Sequence, residues 1–195
     1  MSGSSEDDIT GWAMAARRGD RAALERFVRA TQQDVWRFAA HLTDSQLAED
    51  LAQETYVRAL GSIGRFEGRS SARTWLLSIA RRVAADHIRA VRVRPRQADV
   101  PDWQQAAEQA RSGAGTRFEE YVALRELVDA LDPERREAFF LTQALGLSYA
   151  EAAEVCDCPI GTIRSRVARA REELISSLGS SPNWDDRPGG RRLAM

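Results

Sequence analysis

The sequence contains no lysine, so all 28 of its basic residues are arginines. No apolar run approaches the roughly 18 residues that a membrane-spanning helix needs, so we expect no membrane insertion. Two cysteines, Cys156 and Cys158, are too few for a disulfide framework. The N-terminal residues are polar and acidic and lack the basic-then-apolar pattern of a signal peptide, which predicts a cytoplasmic protein.

The arginines are unevenly distributed, although the formal net charge is only −1. Residues 65–96 contain nine arginines and two acidic residues, and residues 161–171 contain four arginines and no acidic residue. Local basic patches of this kind are the electrostatic signature of phosphate binding. The alternative is that they are ordinary solvated faces of helices.

The spacing of apolar residues is helical almost throughout, with no strand-like alternation of useful length. Residues 96–116 interrupt it with a stretch rich in Gln, Ala, Asp, Gly and Ser, which is typical of a linker. Residues 179–195 have the composition of a disordered tail. The predicted fold class is therefore all-α, with two small helical domains joined by a flexible linker.

A helix-turn-helix motif is predicted near the C-terminus. Ser148 and Glu151 form an S-x-x-E capping box that starts a short helix, and Pro159 starts a second helix after a tight turn. In this motif the second helix enters the major groove of DNA. The alternative is a basic amphipathic helix that only packs on its neighbour. The candidate DNA-binding side chains on the second helix are Thr162, Arg164, Ser165, Arg166, Arg169 and Arg171.

The sequence shows no set of residues with the types and spacing expected of a metal or catalytic site. Cys156 and Cys158 form a C-x-C pair without further ligands at usual spacing, and His41 and His87 lie in the other predicted domain. We therefore interpret the cysteines as small turn residues. Phosphate-binding loop and H-E-x-x-H motifs are also absent, so we expect no enzyme, no cofactor and no metal.

Three segments together resemble a known family. They are DLAQETYVRAL at 50–60, RFEGRSSARTWLLSIAR at 65–81 followed by AD-x-IR, and LSYAEAAEVCDCPIGTIRSRVARAR at 147–171. In this order they resemble the extracytoplasmic-function (group 4) sigma factors of the sigma-70 family. The amino-acid sequence of residues 30–38 and 69–77 is similar to that of the actinobacterial sigma-C-like group.

The resemblance implies a sigma-2 domain at 10–95, a linker at 96–116, a sigma-4 domain at 117–178 and a tail at 179–195. It also implies that one helix binds the coiled coil of the polymerase beta-prime clamp, while the beta flap is a further contact on core RNA polymerase. Without a partner, the charges on this helix would be ordinary helix ion pairs. The implied clamp-binding residues are Asp50, Gln53, Glu54 and Arg58.

The resemblance further implies that 66–92 opens and binds the −10 element, with a loop and the following helix holding an unstacked base. Trp75 could stack on that base, but its helical phase favours the core. Arg164, Ser165 and Arg169 match −35 contacts, and Ala168 is smaller than its counterpart in some relatives. The implied −10 DNA-binding residues are Arg73, Arg81, Arg82, Arg89 and Arg92.

These features predict an RNA polymerase sigma factor that binds core polymerase and promoter DNA and performs no covalent chemistry itself. Members of the family are often bound by an anti-sigma factor, so the resemblance implies such a protein as a further candidate partner. A stand-alone helix-turn-helix regulator, usually a symmetric dimer on its operator, is the first alternative. A helical interaction protein that binds no DNA is the second.

Overall fold

The computed structural model describes residues 5–43, 45–93 and 126–179, and these residues form helices without any β-strand. The first helical unit consists of α1 (Glu6–Arg17), α2 (Arg21–Leu42), α3 (Ser45–Ser62), a short 3-10 turn (Ile63–Arg65) and α4 (Ala72–Val93). The second unit consists of α5 (Pro133–Phe139), a π-helical segment (Phe140–Ala144), α6 (Tyr149–Cys156) and α7 (Ile160–Gly179). The predicted linker and tail lie outside the described residues, apart from Gly179.

The first unit is built on the apolar stripe of α2. Phe27, Val35 and Phe38 are almost fully buried and recur at helical spacing, so this face packs against α3 and α4. A polar contact joins α2 to α3, because the hydroxyl groups of Thr31 and Tyr56 lie 2.8 Å apart. Burial raises the pKa of Tyr56 to about 12, so this contact keeps its proton at neutral pH.

The second unit begins and turns where local sequence signals predict. Asp132 caps α5 and Pro133 is its first residue, as expected for a Pro at the start of a helix. The capping box of Ser148 and Glu151 is present at α6. Asp157 ends α6 in the left-handed conformation, with φ of 52°, so a non-glycine residue makes this turn.

The two units pack against each other through α4 and α6. The ring of His41 on α2 stacks on Phe140 of the π-helical segment, with centroids 4.0 Å apart and planes within 8°. Burial, together with the nearby charge of Arg136, lowers the pKa of His41 to about 4. His41 is therefore neutral at physiological pH, which suits a ring packed flat on an aromatic neighbour.

No helix among the described residues is long and apolar enough to cross a membrane.

Candidate protein and nucleic-acid interfaces

The helix α3 displays a mixed charged and apolar face. Asp50, Gln53, Glu54 and Arg58 are all exposed on it. The Nε of Arg58 lies 2.8 Å from Glu54, and one terminal nitrogen lies 2.7 Å from Asp86 on α4. These bonds raise the pKa of Arg58, with the hydrogen bond to Asp86 as the largest cause. The structure therefore holds the Arg58 side chain in place.

Two apolar side chains lie on the same helix among these charges. Val57 is 65% exposed and Leu60 is 43% exposed. Sequence reasoning named only the polar residues of this surface and missed its apolar part. The signal was available, because Val57 and Leu60 fall off the buried stripe formed by Leu51, Thr55 and Ala59.

An open cavity of about 320 Å³ lies where the 3-10 turn leads into α4. Phe66 is buried and packs on Trp75 with ring centroids 5.0 Å apart, so both rings form one apolar wall. Trp75 is only half-buried and contributes to the core as well as to the cavity. The side chains that line the cavity are Arg65, Phe66, Glu67, Arg69, Ser70 and Trp75.

The five predicted −10 arginines fall into different environments along α4. Arg82 is exposed, and Arg89 is exposed beside Asp86, 3.4 Å away. Arg92 lies on the last turn of α4. Arg82 and Arg89 differ from Arg73 and Arg81, whose side chains are partly buried against other helices.

Arg73 and Arg81 contact the second helical unit. Arg73 bonds to Asp34 on α2 at 2.7 Å and donates to the carbonyl oxygen of Leu145 at 2.6 Å. Arg81 makes a bidentate contact with Glu137 on α5. Its Nε donates to one carboxylate oxygen at 2.6 Å, and a terminal nitrogen donates to the other at 3.2 Å. The pKa of Arg81 is raised, chiefly by this bond to Glu137. In this conformation both guanidinium groups are hydrogen-bonded to acceptors of the protein, and the side chain of Arg81 remains 35% exposed.

The helix α7, the second helix of the predicted helix-turn-helix, has one continuous exposed face. Arg164, Ser165, Ala168 and Arg169 are exposed on it, whereas Ile163 and Val167 anchor the opposite face in the core. This arrangement follows from helical periodicity and leaves two guanidinium groups open to solvent. Arg can bind guanine through two hydrogen bonds or can hold phosphates.

The other candidate residues of α7 have partners within the protein. Arg166 forms an ion pair with Glu134 of α5, and Arg171 donates to the side-chain oxygen of Gln143 at 2.9 Å. Thr162 is half-buried, and its carbonyl oxygen accepts a hydrogen bond from Ser165 at 2.9 Å. Arg164 and Arg169 are therefore the candidates most available to DNA.

The two cysteines flank the turn between α6 and α7. Cys156 is buried, and burial raises the pKa of its thiol to about 12, which keeps it protonated and unreactive. Cys158 is half-buried, with its sulfur 3.8 Å from Arg166. Within the described part of the chain, no group of three or more His, Cys, Asp or Glu is placed to hold a metal ion.

Comparison with known proteins agrees with this architecture. Residues 27–94 match the family model of sigma-70 region 2, and residues 121–174 match that of sigma-70 region 4. The chain is 53% identical to the "Probable RNA polymerase sigma-C factor" of Mycobacterium bovis, over 90% of this chain and 95% of that protein. It is 33% identical to the RNA polymerase sigma-H factor of Pseudomonas aeruginosa, over 83% and 89% of the two chains.

Solved structures share the fold. The sigma factor RpoE of Bartonella quintana, in complex with the anti-sigma factor NepR, is similar with a TM-score of 0.61 and 28% identity, over 81% of this chain and 98% of that one. CnrH in complex with the cytosolic domain of CnrY has a TM-score of 0.66 and 23% identity, over 91% and 99%, and supports the fold alone. The chain belongs to the sigma-70 family, and within it to the extracytoplasmic-function sigma factors, with the sigma-C factors among its relatives.

Proposed function

We propose that this chain binds core RNA polymerase and directs it to promoters through two separate DNA-reading surfaces. The observation that carries the proposal is the exposed arginine-bearing face of α7 in the helix-turn-helix of the second unit, combined with the cavity and the arginine-bearing helix α4 of the first unit. The chain supplies recognition and leaves nucleotide addition to the polymerase. Since polymerase and chromosome share the cytoplasm, we place its action there.

The −35 element is the proposed ligand of α7. Arg164 and Arg169 read base edges or hold phosphates, and Ser165 supplies a hydroxyl beside them. Thr162, Arg166 and Arg171 support this surface. Because Arg166 and Arg171 already have protein partners, we assign them to backbone contacts made after local rearrangement.

The −10 element is the proposed ligand of the 66–72 loop and α4. An unstacked base of the non-template strand enters the 320 Å³ cavity, where Phe66 and Trp75 supply the apolar wall. Arg82, Arg89 and Arg92 hold phosphates along α4. Arg73 and Arg81 join them only when the second unit moves away, because their present partners lie there.

Two apolar surfaces are proposed for core polymerase. Val57 and Leu60, framed by Asp50, Gln53, Glu54 and Arg58, form the surface for the beta-prime clamp. Ile175 and Leu178, 70% and 45% exposed at the end of α7, form the surface for the beta flap. An anti-sigma factor, the partner named for one structural relative, would compete for these surfaces.

Run-off transcription with purified core polymerase and a library of promoter fragments tests the proposal. We expect protein-dependent start sites that share −35 and −10 boxes. They should disappear with Arg164→Ala plus Arg169→Ala and persist with Arg21→Ala plus Arg26→Ala, a matched change of two exposed arginines on α2.

Binding to core is measured separately by co-elution. Val57→Asp should abolish it, whereas Ala22→Asp, on an exposed site of α2, should not. Operator binding by the free protein as a dimer, with no polymerase-dependent transcript, would instead establish a stand-alone regulator.

A further inference from the structure

The N-terminal helix α1 lies outside the region matched by the sigma-70 region 2 family model, which begins at residue 27. Its buried residues Ile9 and Ala13 pack it against the other helices of the first unit. From this position it lies against the start, the middle and the end of the 66–72 loop that we assign to the −10 element. Nothing in the sequence pattern of the loop itself predicts these contacts.

Both ends of the loop are hydrogen-bonded to α1. At the start, a terminal nitrogen of Arg17 donates to the carbonyl oxygen of Phe66 at 3.1 Å. At the end, the backbone N–H of Ala72 donates to the hydroxyl oxygen of Thr10 at 3.1 Å. The Ser71 hydroxyl also donates to the carboxylate of Glu6 at 2.7 Å.

The bond from Ala72 has a particular consequence for α4. Ala72 is the first residue of that helix, and the first N–H groups of a helix have no partner within it. Thr10 therefore caps α4 from another helix. Ser71 provides a second cap by accepting the N–H of Thr74 at 3.1 Å, and its bond to Glu6 fixes its orientation.

The middle of the loop also lies against α1. Gly68 has φ of +70°, a conformation that side chains rarely adopt. A Cβ atom built on it would lie 3.6 Å from the sulfur of Met14, so α1 lies directly beside this turn. The cavity-lining side chains of Glu67, Arg69 and Ser70 lie between the two bonded ends of the loop.

We propose that α1 positions the −10 loop, and that Thr10, Arg17 and Glu6 are positioning residues for the unstacked −10 base. They touch no DNA themselves. They hold the loop and the start of α4 in the geometry that forms the cavity, so that this order exists before DNA binds. This inference rests on the proposed function, since it assigns the loop to the −10 element.

The test uses the full chain with core polymerase and a promoter that carries 2-aminopurine in the non-template −10 strand. Fluorescence then reports unstacking during promoter opening. We expect Thr10→Val, which keeps the shape and removes the hydroxyl, to reduce the opening rate roughly fivefold, the effect of one lost helix cap. It should also reduce the discrimination between bases at the unstacked position.

Two further variants distinguish a loss of loop positioning from a general loss of protein stability. Thr10→Ser retains the hydroxyl and should restore both the opening rate and the base discrimination. Thr55→Val is a matched change in α3, where the hydroxyl donates within its own helix, to the carbonyl oxygen of Leu51 at 2.7 Å. It should leave opening unchanged. Core binding and −35 duplex binding should remain at the wild-type level in all three.

Arg17→Ala removes the bond at the other end of the loop and should reproduce the Thr10→Val pattern. Equal opening by wild type and Thr10→Val would overturn the inference, as would equal losses in Thr10→Val and Thr55→Val. If instead the wild-type protein opens no promoter although it binds core, the proposed function fails, and not the positioning role alone.

Discussion

Replacing Glu137 by Gln should release the surface that we propose for the −10 element in the free protein. Glu137 is 7% exposed and holds Arg81 through two hydrogen bonds at 2.6 and 3.2 Å. The substitution keeps the size of the side chain and one acceptor oxygen, but it removes the negative charge. The contact between α4 and α5 is therefore weakened without a cavity.

The magnitude follows from the burial of the two partners. Breaking a fully buried ion pair costs about 3–5 kcal/mol. The side chain of Arg81 is 35% exposed and can turn to solvent, so screening reduces this figure. Because Gln also retains one bond, we expect the packing of the two units to lose about 1–2 kcal/mol. This corresponds to a roughly 5- to 30-fold larger open fraction.

Binding of a −10 non-template single strand to the free protein measures this fraction. Apparent affinity rises in proportion to the population of the open form, so Glu137→Gln should bind up to 30-fold more tightly. Glu134→Gln is the matched control, since Glu134 lies on the same helix but pairs with Arg166 within the second unit. Unchanged affinity for Glu137→Gln, or an equal gain in both variants, would refute the reasoning.

Three further predictions concern other parts of the molecule. Arg164→Ala plus Arg169→Ala should reduce the salt dependence of −35 duplex binding, by up to about one unit of log–log slope for each lost phosphate contact, in a titration of fluorescence anisotropy against salt. The pKa of His41 is lowered to about 4 in the folded protein, so protonation of this residue favours unfolding. The free energy of unfolding should therefore be highest above about pH 6.5 and should fall by roughly 2–3 kcal/mol towards pH 4. In urea unfolding, His41→Gln should flatten this pH dependence. Ser148→Ala should cost about 1 kcal/mol in the same assay through loss of the capping box, whereas Ser177→Ala should be neutral.

Local signals were sufficient for most of the secondary structure. The Ser148–Glu151 box starts a helix where predicted, because a cap depends on residues only three or four positions apart. The helix α1 was not predicted as an element. Its signal was present, since Ser5 and Asp8 form a capping box before Ile9, but the acidic start was interpreted only as the absence of a signal peptide.

The sequence by itself determined the all-α class, the helix-turn-helix and the exposed face of Arg164, Ser165 and Arg169. These features follow from helical periodicity and short-range capping, which act within a few residues along the chain.

Only the tertiary structure decided which arginine side chains are exposed to solvent and which are paired within the protein. Arg81 and Arg82 are adjacent in sequence, yet Arg82 is exposed while Arg81 is held by Glu137, 56 residues away. Thr10 likewise caps a helix that begins 62 residues later. Such partners are brought together by packing of distant helices, and the free energy of a charge or a helix cap depends on the partner it finds there.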